Sequence, residues 1–171
     1  MARDEAYKRA EEKIEVARWA RIERLDLSSY ESGLRLTELP KSLGTLTQLQ
    51  ELDLNSNRLA MQLESLEILR KLTQLRSLIL SDNEFTVIPE SISVLTQLQI
   101  LNLSKNNLTA LPESIGALPR LQELDLSANQ LTALPESIGA LPHLRLLNVS
   151  KNNLRIVPSS LGALTLLEIL D

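Results

Sequence analysis

Residues whose side chains could carry out catalytic or metal chemistry are sparse in this sequence. It contains one histidine, His143, and no cysteine. Thiolate nucleophiles, disulfides and cysteine-based zinc sites are therefore excluded, and a single histidine cannot form a multi-histidine metal site. The sequence matches neither G-x-x-x-x-G-K-[ST] nor G-x-G-x-x-G, and it contains no G-x-S-x-G or H-E-x-x-H. We therefore predict a protein that is not an enzyme and has no catalytic residue, cofactor site or metal site.

Overall charge and hydropathy argue against two further classes of partner. The 171 residues include 18 basic and 22 acidic side chains, a formal net charge of −4. A general nucleic-acid binder needs a basic surface that displaces counterions from phosphates, so we expect no nucleic-acid partner. No apolar stretch approaches the roughly 20 residues that span a bilayer, and the charged N-terminus lacks the apolar core of a secretory signal. We expect no membrane partner.

An internal repeat reveals the elements that would have to position any binding residues. The string LPESIGALP occurs at 111–119 and again at 134–142. A pattern that begins L-x-x-L-x-L-x-x-N-x-L fits six successive segments and a truncated seventh. One such unit is too short to bury its own leucines, so neighbouring units must cover one another. The units begin at Ile22, Leu49, Leu75, Leu98, Leu121, Leu144 and Leu167.

This spacing is similar to that of leucine-rich repeats, and the L-T-x-L-P-x-x-I/L-G-x-L step resembles the Ras-group class of that family. The resemblance implies an α/β fold, a right-handed solenoid with a parallel sheet on its concave face and short helices on its convex face. Residues 2–20 do not fit the repeat, and their small apolar residues recur at helical spacing. We therefore predict a capping helix at 1–21 and repeats at 22–171.

One asparagine in each unit is predicted to support the turn after the strand. In the unit that begins at Leu98, Asn106 follows three inward-pointing leucines. Its amide can bond backbone groups of its own turn and of the neighbouring unit, and a buried amide is tolerated only when it finds such partners. The equivalent residues would complete a ladder; they are Asn57, Asn83, Asn129 and Asn152.

Four features depart from the repeat. Leucines spaced by three residues in the second unit predict a regular α-helix over 61–72. An insertion at 30–33 predicts a short loop at the concave rim of the first unit. Trp19 is expected to pack where the N-terminal helix meets the first strand. The sequence stops inside the seventh strand, so we expect that the natural protein continues or that this open edge self-associates.

The outward side of the strands is the candidate recognition surface. The residues on either side of the second leucine of L-x-x-L-x-L point away from the core. Ile79 and Ile100 form one apolar pair there, and Leu146 and Ile169 form another. Exposed aliphatic residues favour a protein contact, and ordinary variation of a sheet face is the alternative. The candidate partner-binding residues are Glu51, Asp53, Ile79, Ile100, Asn102, Glu123, Asp125, Leu146 and Asn148.

These observations favour a non-catalytic protein-protein interaction module that uses the concave face. The family resemblance implies intracellular signalling, and the absence of the cysteine-rich caps of extracellular members favours the cytoplasm. The alternative comes from the segment DEAYKRAEEKIEVARWARIERLDLS, which resembles the opening of bacterial Roco proteins. That resemblance implies the recognition or regulatory region of a larger Roco-type GTPase whose catalytic domain lies outside this chain.

Overall fold

The computed structural model describes residues 5–29, 33–60 and 67–171. Within them, an N-terminal α-helix is followed by seven short strands. Five short 3₁₀ helices and a helical stretch at 67–69 lie in the connections between strands. The helix α1 spans Glu5–Ala20. The strands are β1 (Arg24–Asp26), β2 (Glu51–Asp53), β3 (Ser77–Ile79), β4 (Ile100–Asn102), β5 (Glu123–Asp125), β6 (Leu146–Asn148) and β7 (Ile169–Leu170).

The seven strands form one parallel sheet in sequence order, from β1 to β7. The register is the same at each step, so that Leu52 stands opposite Leu78 and Leu78 opposite Leu101. These central leucines are buried, while the residues beside them point outward. The predicted fold class is confirmed: a right-handed solenoid has the parallel sheet on its concave face and a helix at its N-terminal end. The predicted boundary between 1–21 and 22–171 stays a prediction.

The core is a column of aliphatic side chains supplied at equivalent positions by successive repeats. Leu98, Leu101 and Leu103 are almost wholly buried, as predicted. On the opposite wall, the 3₁₀ turn Glu113–Ala117 contributes Ile115, which is also fully buried. Burying a leucine or isoleucine in this way stabilises the fold by about 1.5–3 kcal/mol before the ordering entropy is subtracted.

The predicted asparagine ladder is confirmed. The Asn106 amide nitrogen donates to the carbonyl oxygens of Leu80, Leu103 and Ser104 at 3.0–3.1 Å. Its oxygen accepts a hydrogen bond from the N–H of Phe85 at 3.1 Å. Each amide therefore joins its own turn to the preceding repeat. The equivalent bonds are made by Asn57, Asn83, Asn129 and Asn152.

A second ladder runs along the convex face, between the 3₁₀ turns. Glu113 accepts a hydrogen bond from the N–H of Ser137 in the next repeat, and Glu136 accepts one from Ser160. The turns are so close that a Cβ added to Gly139 would lie 2.3 Å from the carbonyl oxygen of Ser160. A Cβ on the equivalent Gly162, in the last repeat, would meet nothing within 4 Å. Glycine at this position permits the close approach at Gly116 and Gly139, whereas the turn Glu90–Val94 has Ser93 at the equivalent position.

Helix α1 covers the first repeat with its apolar side. Ala10, Ile14 and Ala17 are buried, and Lys13 donates a hydrogen bond to the carbonyl oxygen of Asp26 at 2.9 Å. The expectation that Trp19 packs at the junction is wrong, because its side chain is 80% exposed. Two residues after Ala17, a helix has turned by more than half a revolution, so Trp19 faces away from the solenoid. The Arg18 guanidinium lies 5.8 Å from the centre of the Trp19 ring.

The other departures are only partly within the described residues. Of the predicted helix over 61–72, residues 61–66 lie outside them, while residues 67–69 are helical. Of the predicted loop at 30–33, only Gly33 is described, and its φ is +65°. At the last repeat, Leu166, Ile169 and Leu170 are exposed. Self-association through this edge stays a prediction.

Candidate functional site

The outward residues of the strands form two parallel rows across the concave sheet. The first row consists of the residues just before the buried leucines, and it places Ile100 between Ser77 and Glu123. The second row consists of the residues just after them, and it places Asn102 between Ile79 and Asp125. The structure thus brings all nine predicted partner-binding residues onto one face; whether they bind a partner stays a prediction.

The second row has a structural role that the sequence pattern did not reveal. Asp53 accepts a hydrogen bond from the N–H of Asn55, two residues further on, at 2.8 Å. Asn102 accepts the same bond from Ser104 at 3.0 Å. Such bonds are typical of Asp and Asn at a turn, because the short side chain reaches the backbone two residues on. The equivalent bond is made by Asp26, Asp125 and Asn148 as well.

Ile79 is the exception in the second row among strands β1 to β6. A hydrocarbon side chain accepts no hydrogen bond, so the N–H of Ser81 lacks the side-chain acceptor that the other five strands provide. Ile79 is half-buried and lies diagonally across from Ile100 on the neighbouring strand. The local structure of the turn favours Asp or Asn here, and the chain has an isoleucine instead.

The aliphatic residues of the first row complete two apolar clusters. Ile100 joins Ile79 on strands β3 and β4, and Leu146 stands directly opposite Ile169 on strands β6 and β7. Ile100 and Leu146 are half-buried, whereas Ile169 is exposed. Both pairs are therefore placed as the sequence predicted. Glu123 and Asp125 on strand β5 separate the two clusters.

The charged side chains on the concave face are mostly acidic, and only some of them form ion pairs. Arg24 donates to Glu51 at 2.6 Å across β1 and β2, so Glu51 is partly neutralised. Sequence reasoning left Arg24 out of the site, although the shared row contained the signal for this pair. No such cation reaches Asp26, Asp53 or Asp125 in the described part of the chain.

The pKa of the Asp53 carboxyl group is raised in the folded protein. Burial raises the pKa of its carboxyl group above the ordinary 3.8. The hydrogen bond from Asn55 lowers the pKa of this group, and the nearby charge of Asp26 raises it again. Because the net shift is upward, ionised Asp53 destabilises the folded state as pH rises through the pKa of the group in the folded protein. The fold therefore does not require this negative charge.

The described residues contain neither a membrane-spanning helix nor a metal-binding cluster. None of the helices there is long and apolar enough to cross a bilayer. The same residues hold no group of three or more histidine, aspartate or glutamate side chains arranged to bind a metal ion.

Known proteins with the same fold are numerous. A profile described as a leucine-rich repeat region matches residues 90–171, and a second profile, described as leucine rich repeat, matches residues 48–72 and 74–95. A leucine-rich-repeat protein of Leptospira interrogans superposes with a TM-score of 0.80 and 37% identity, over 88% of this chain and 36% of its own. Among curated proteins no significant match is found.

Two plant receptors are similar as well. The Arabidopsis receptor kinase HAESA, in complex with a peptide hormone and a co-receptor, gives a TM-score of 0.75 at 30% identity over 90% of this chain. The GASSHO1/SCHENGEN3 receptor kinase ectodomain of Arabidopsis thaliana, in complex with Casparian strip integrity factor 2, gives a TM-score of 0.67 at 32% identity over 76% of this chain. The chain spans 26% and 16% of the lengths of these two proteins.

Proposed function

Because the chain belongs to the leucine-rich-repeat family, we propose that it is a protein-binding module whose partner lies against the outward rows of the concave sheet. The fold is typical of non-enzymatic protein-protein interaction modules. The HAESA and GASSHO1 complexes, in which a receptor of this fold holds a protein or peptide ligand, support the proposal by similarity.

The observation that carries the proposal is the placement of Ile79. Every other strand from β1 to β6 has an Asp or Asn at this position, and that residue accepts a hydrogen bond from the following turn. The isoleucine gives up this bond and presents hydrocarbon to solvent beside Ile100. The lost bond and the exposed part of the side chain do not stabilise the isolated protein, whereas aliphatic surface covered by a partner contributes to binding.

A peptide selection on the immobilised protein tests this function. The double variant Ile100→Arg with Leu146→Glu is expected to lose the peptides that the wild-type chain enriches, because both changes place charge in the apolar clusters. The matched control is Val87→Arg with Val94→Glu. Both valines are exposed but lie outside the sheet, so the same charges are introduced away from the concave face.

The two variants separate the outcomes. Enriched peptides that bind the concave double variant as well as the wild type would refute the concave-face proposal. Equal losses in both variants would indicate general charge effects and would refute it too. Circular dichroism spectra confirm that each variant is folded before binding is compared.

The cellular setting belongs to the same proposal. We place the module in the cytoplasm and in signalling, on the absence of cysteine and on the resemblance to Ras-group repeats. The alternative, a recognition region of a Roco-type GTPase, rests on the N-terminal segment that includes α1. The coding sequence beyond codon 171 decides between them: a P-loop motif there supports the alternative, and a stop codon refutes it.

A further inference from the structure

The outward rows alternate between acidic and aliphatic character along the solenoid, and this order is the basis of a more specific inference. Asp53 lies on β2, Ile79 and Ile100 on β3 and β4, Glu123 and Asp125 on β5, and Leu146 on β6. The sequence along the sheet is therefore acidic, aliphatic, acidic, aliphatic. The twelve outward positions of β1 to β6 contain five carboxylates and one arginine.

The turns after the strands do not require the negative charges of the outward rows. Asn102 and Asn148 make the same hydrogen bond to the backbone as Asp53 and Asp125, with an uncharged amide oxygen. An asparagine would thus serve the turn equally well at the acidic positions. At Asp53 the charge even opposes folding, since burial disfavours the ionised form. The charge at these positions is therefore available for a partner.

The distances between the four groups match one conformation of a bound chain. Neighbouring parallel strands lie about 4.8 Å apart. Measured from β2, the first aliphatic pair is then centred about 7 Å away, β5 about 14 Å and β6 about 19 Å. An extended peptide advances about 3.4 Å per residue, and every second side chain points to the same face. The third, fifth and seventh side chains therefore lie about 7, 14 and 20 Å from the first.

We propose that the concave face binds an extended peptide segment in which basic and aliphatic residues alternate at every second position. Each basic side chain lies over Asp53 or over Glu123 and Asp125, and each aliphatic side chain lies over an apolar pair. Exposed bases at the edges of the sheet, Arg76 and Lys105, lie outside the two rows. The inference rests on the proposed function, because it names the chemistry of the partner for the same surface.

Fluorescence anisotropy with labelled heptapeptides tests the inference. The probes are Arg-Ser-Leu-Ser-Arg-Ser-Leu and its reverse, Leu-Ser-Arg-Ser-Leu-Ser-Arg, since either chain direction fits the rows. A shuffled peptide, Arg-Arg-Ser-Ser-Leu-Leu-Ser, keeps the composition and breaks the spacing. A fourth peptide is the first probe with glutamate in place of both arginines. We expect at least one alternating probe to bind about tenfold or more tightly than the shuffled and acidic peptides, and its binding to weaken as salt is added.

The decisive variant removes three charges and keeps every turn. Asp53→Asn and Asp125→Asn keep a side-chain oxygen that can accept the backbone bond, and Glu123→Gln removes the third charge of the proposed site. The matched control is Glu90→Gln, Glu113→Gln and Glu136→Gln on the convex face, where the side chains also accept one backbone bond each. We expect the concave triple variant to weaken binding by about tenfold and the convex one to leave it within about twofold.

Three results would overturn the inference. They are equal binding of the shuffled and alternating peptides, equal losses in the two triple variants, and no measurable binding of either alternating probe. The proposed function would survive each of them if the selection still enriched other peptides and if the double variant Ile100→Arg with Leu146→Glu no longer bound those peptides. It would fall if that double variant left the selection unchanged or if the control double variant caused an equal loss.

Discussion

The inward and outward sides of the same short strands obey different constraints. Strand β4 shows both: Leu101 points inward and is buried, while Ile100 and Asn102 point outward. The inward residue is leucine in every strand from β1 to β6, whereas the outward ones range from Arg24 to Leu146. Burial inside a stack of fixed spacing favours leucine at this position of the strand. The outward positions escape that constraint, so their variation is where a partner can be encoded.

The largest expected effect compares two asparagines of one repeat, Asn106 inside and Asn102 outside. We expect Asn106→Ala to lower the free energy of unfolding by about 3 kcal/mol or more, because several buried backbone groups lose their partner. Asn102→Ala removes two part-buried bonds, from the N–H and the hydroxyl group of Ser104, and is expected to cost about 1–2 kcal/mol. Urea denaturation followed by circular dichroism measures both.

Equal costs for the two asparagine variants would contradict the distinction between inner and outer positions. Repeat arrays can unfold in more than one step, so the slope of each transition is compared as well as its midpoint.

The next effect compares two glycines on the convex face. Gly139→Ala forces a Cβ against the backbone of Ser160, and we expect a loss of about 1–3 kcal/mol. Gly162→Ala meets no atom within 4 Å, and its reduced freedom in the unfolded chain is expected to leave stability unchanged or to raise it by up to about 1 kcal/mol. Thermal unfolding of the two variants side by side measures the difference. A Gly162→Ala protein as unstable as the Gly139→Ala protein would disprove the role assigned to close stacking.

The smallest expected effect on stability comes from a substitution of Ile79 that does not lower the free energy of unfolding. Ile79→Asn restores the hydrogen bond that the other strands make to the turn, so we expect the free energy of unfolding to stay the same or to rise by up to about 1 kcal/mol. Binding of peptides selected on the wild-type protein is expected to fall, because half of an apolar cluster is lost. A marked loss of stability would show that Ile79 serves the fold, and the inference that it serves a partner would then fail.

The sequence alone predicted the parts of the molecule that repeat. The register, the buried leucines and the ladder through Asn106 follow from spacing, because each repeat makes the same contacts with its neighbour. Both outward apolar pairs were also placed correctly, since a two-residue alternation in a strand determines the face of each side chain.

The parts that failed or were missed depend on single contacts. Trp19 was expected to be covered, and a rotation of two residues along α1 places it in solvent instead. The turn-supporting role of Asp53 and its equivalents was missed because Asp, Asn and one isoleucine share that row, which reads as ordinary variation of a sheet face. Likewise, the neutralising pair of Arg24 with Glu51 was missed although both residues stand in the same outward row, because their contact depends on the conformations of two long side chains.

The asparagine ladder also bears on how such a protein can change length. Each amide reaches the repeat before it, and its hydrogen bonds extend no further. A unit duplicated in the gene would therefore enter the stack with its donors and acceptors already matched on both sides, without compensating changes elsewhere. The identical strings at 111–119 and 134–142 are what such a duplication would leave behind. Growth by copying adds two outward positions with each new strand, and those positions are then free to diverge.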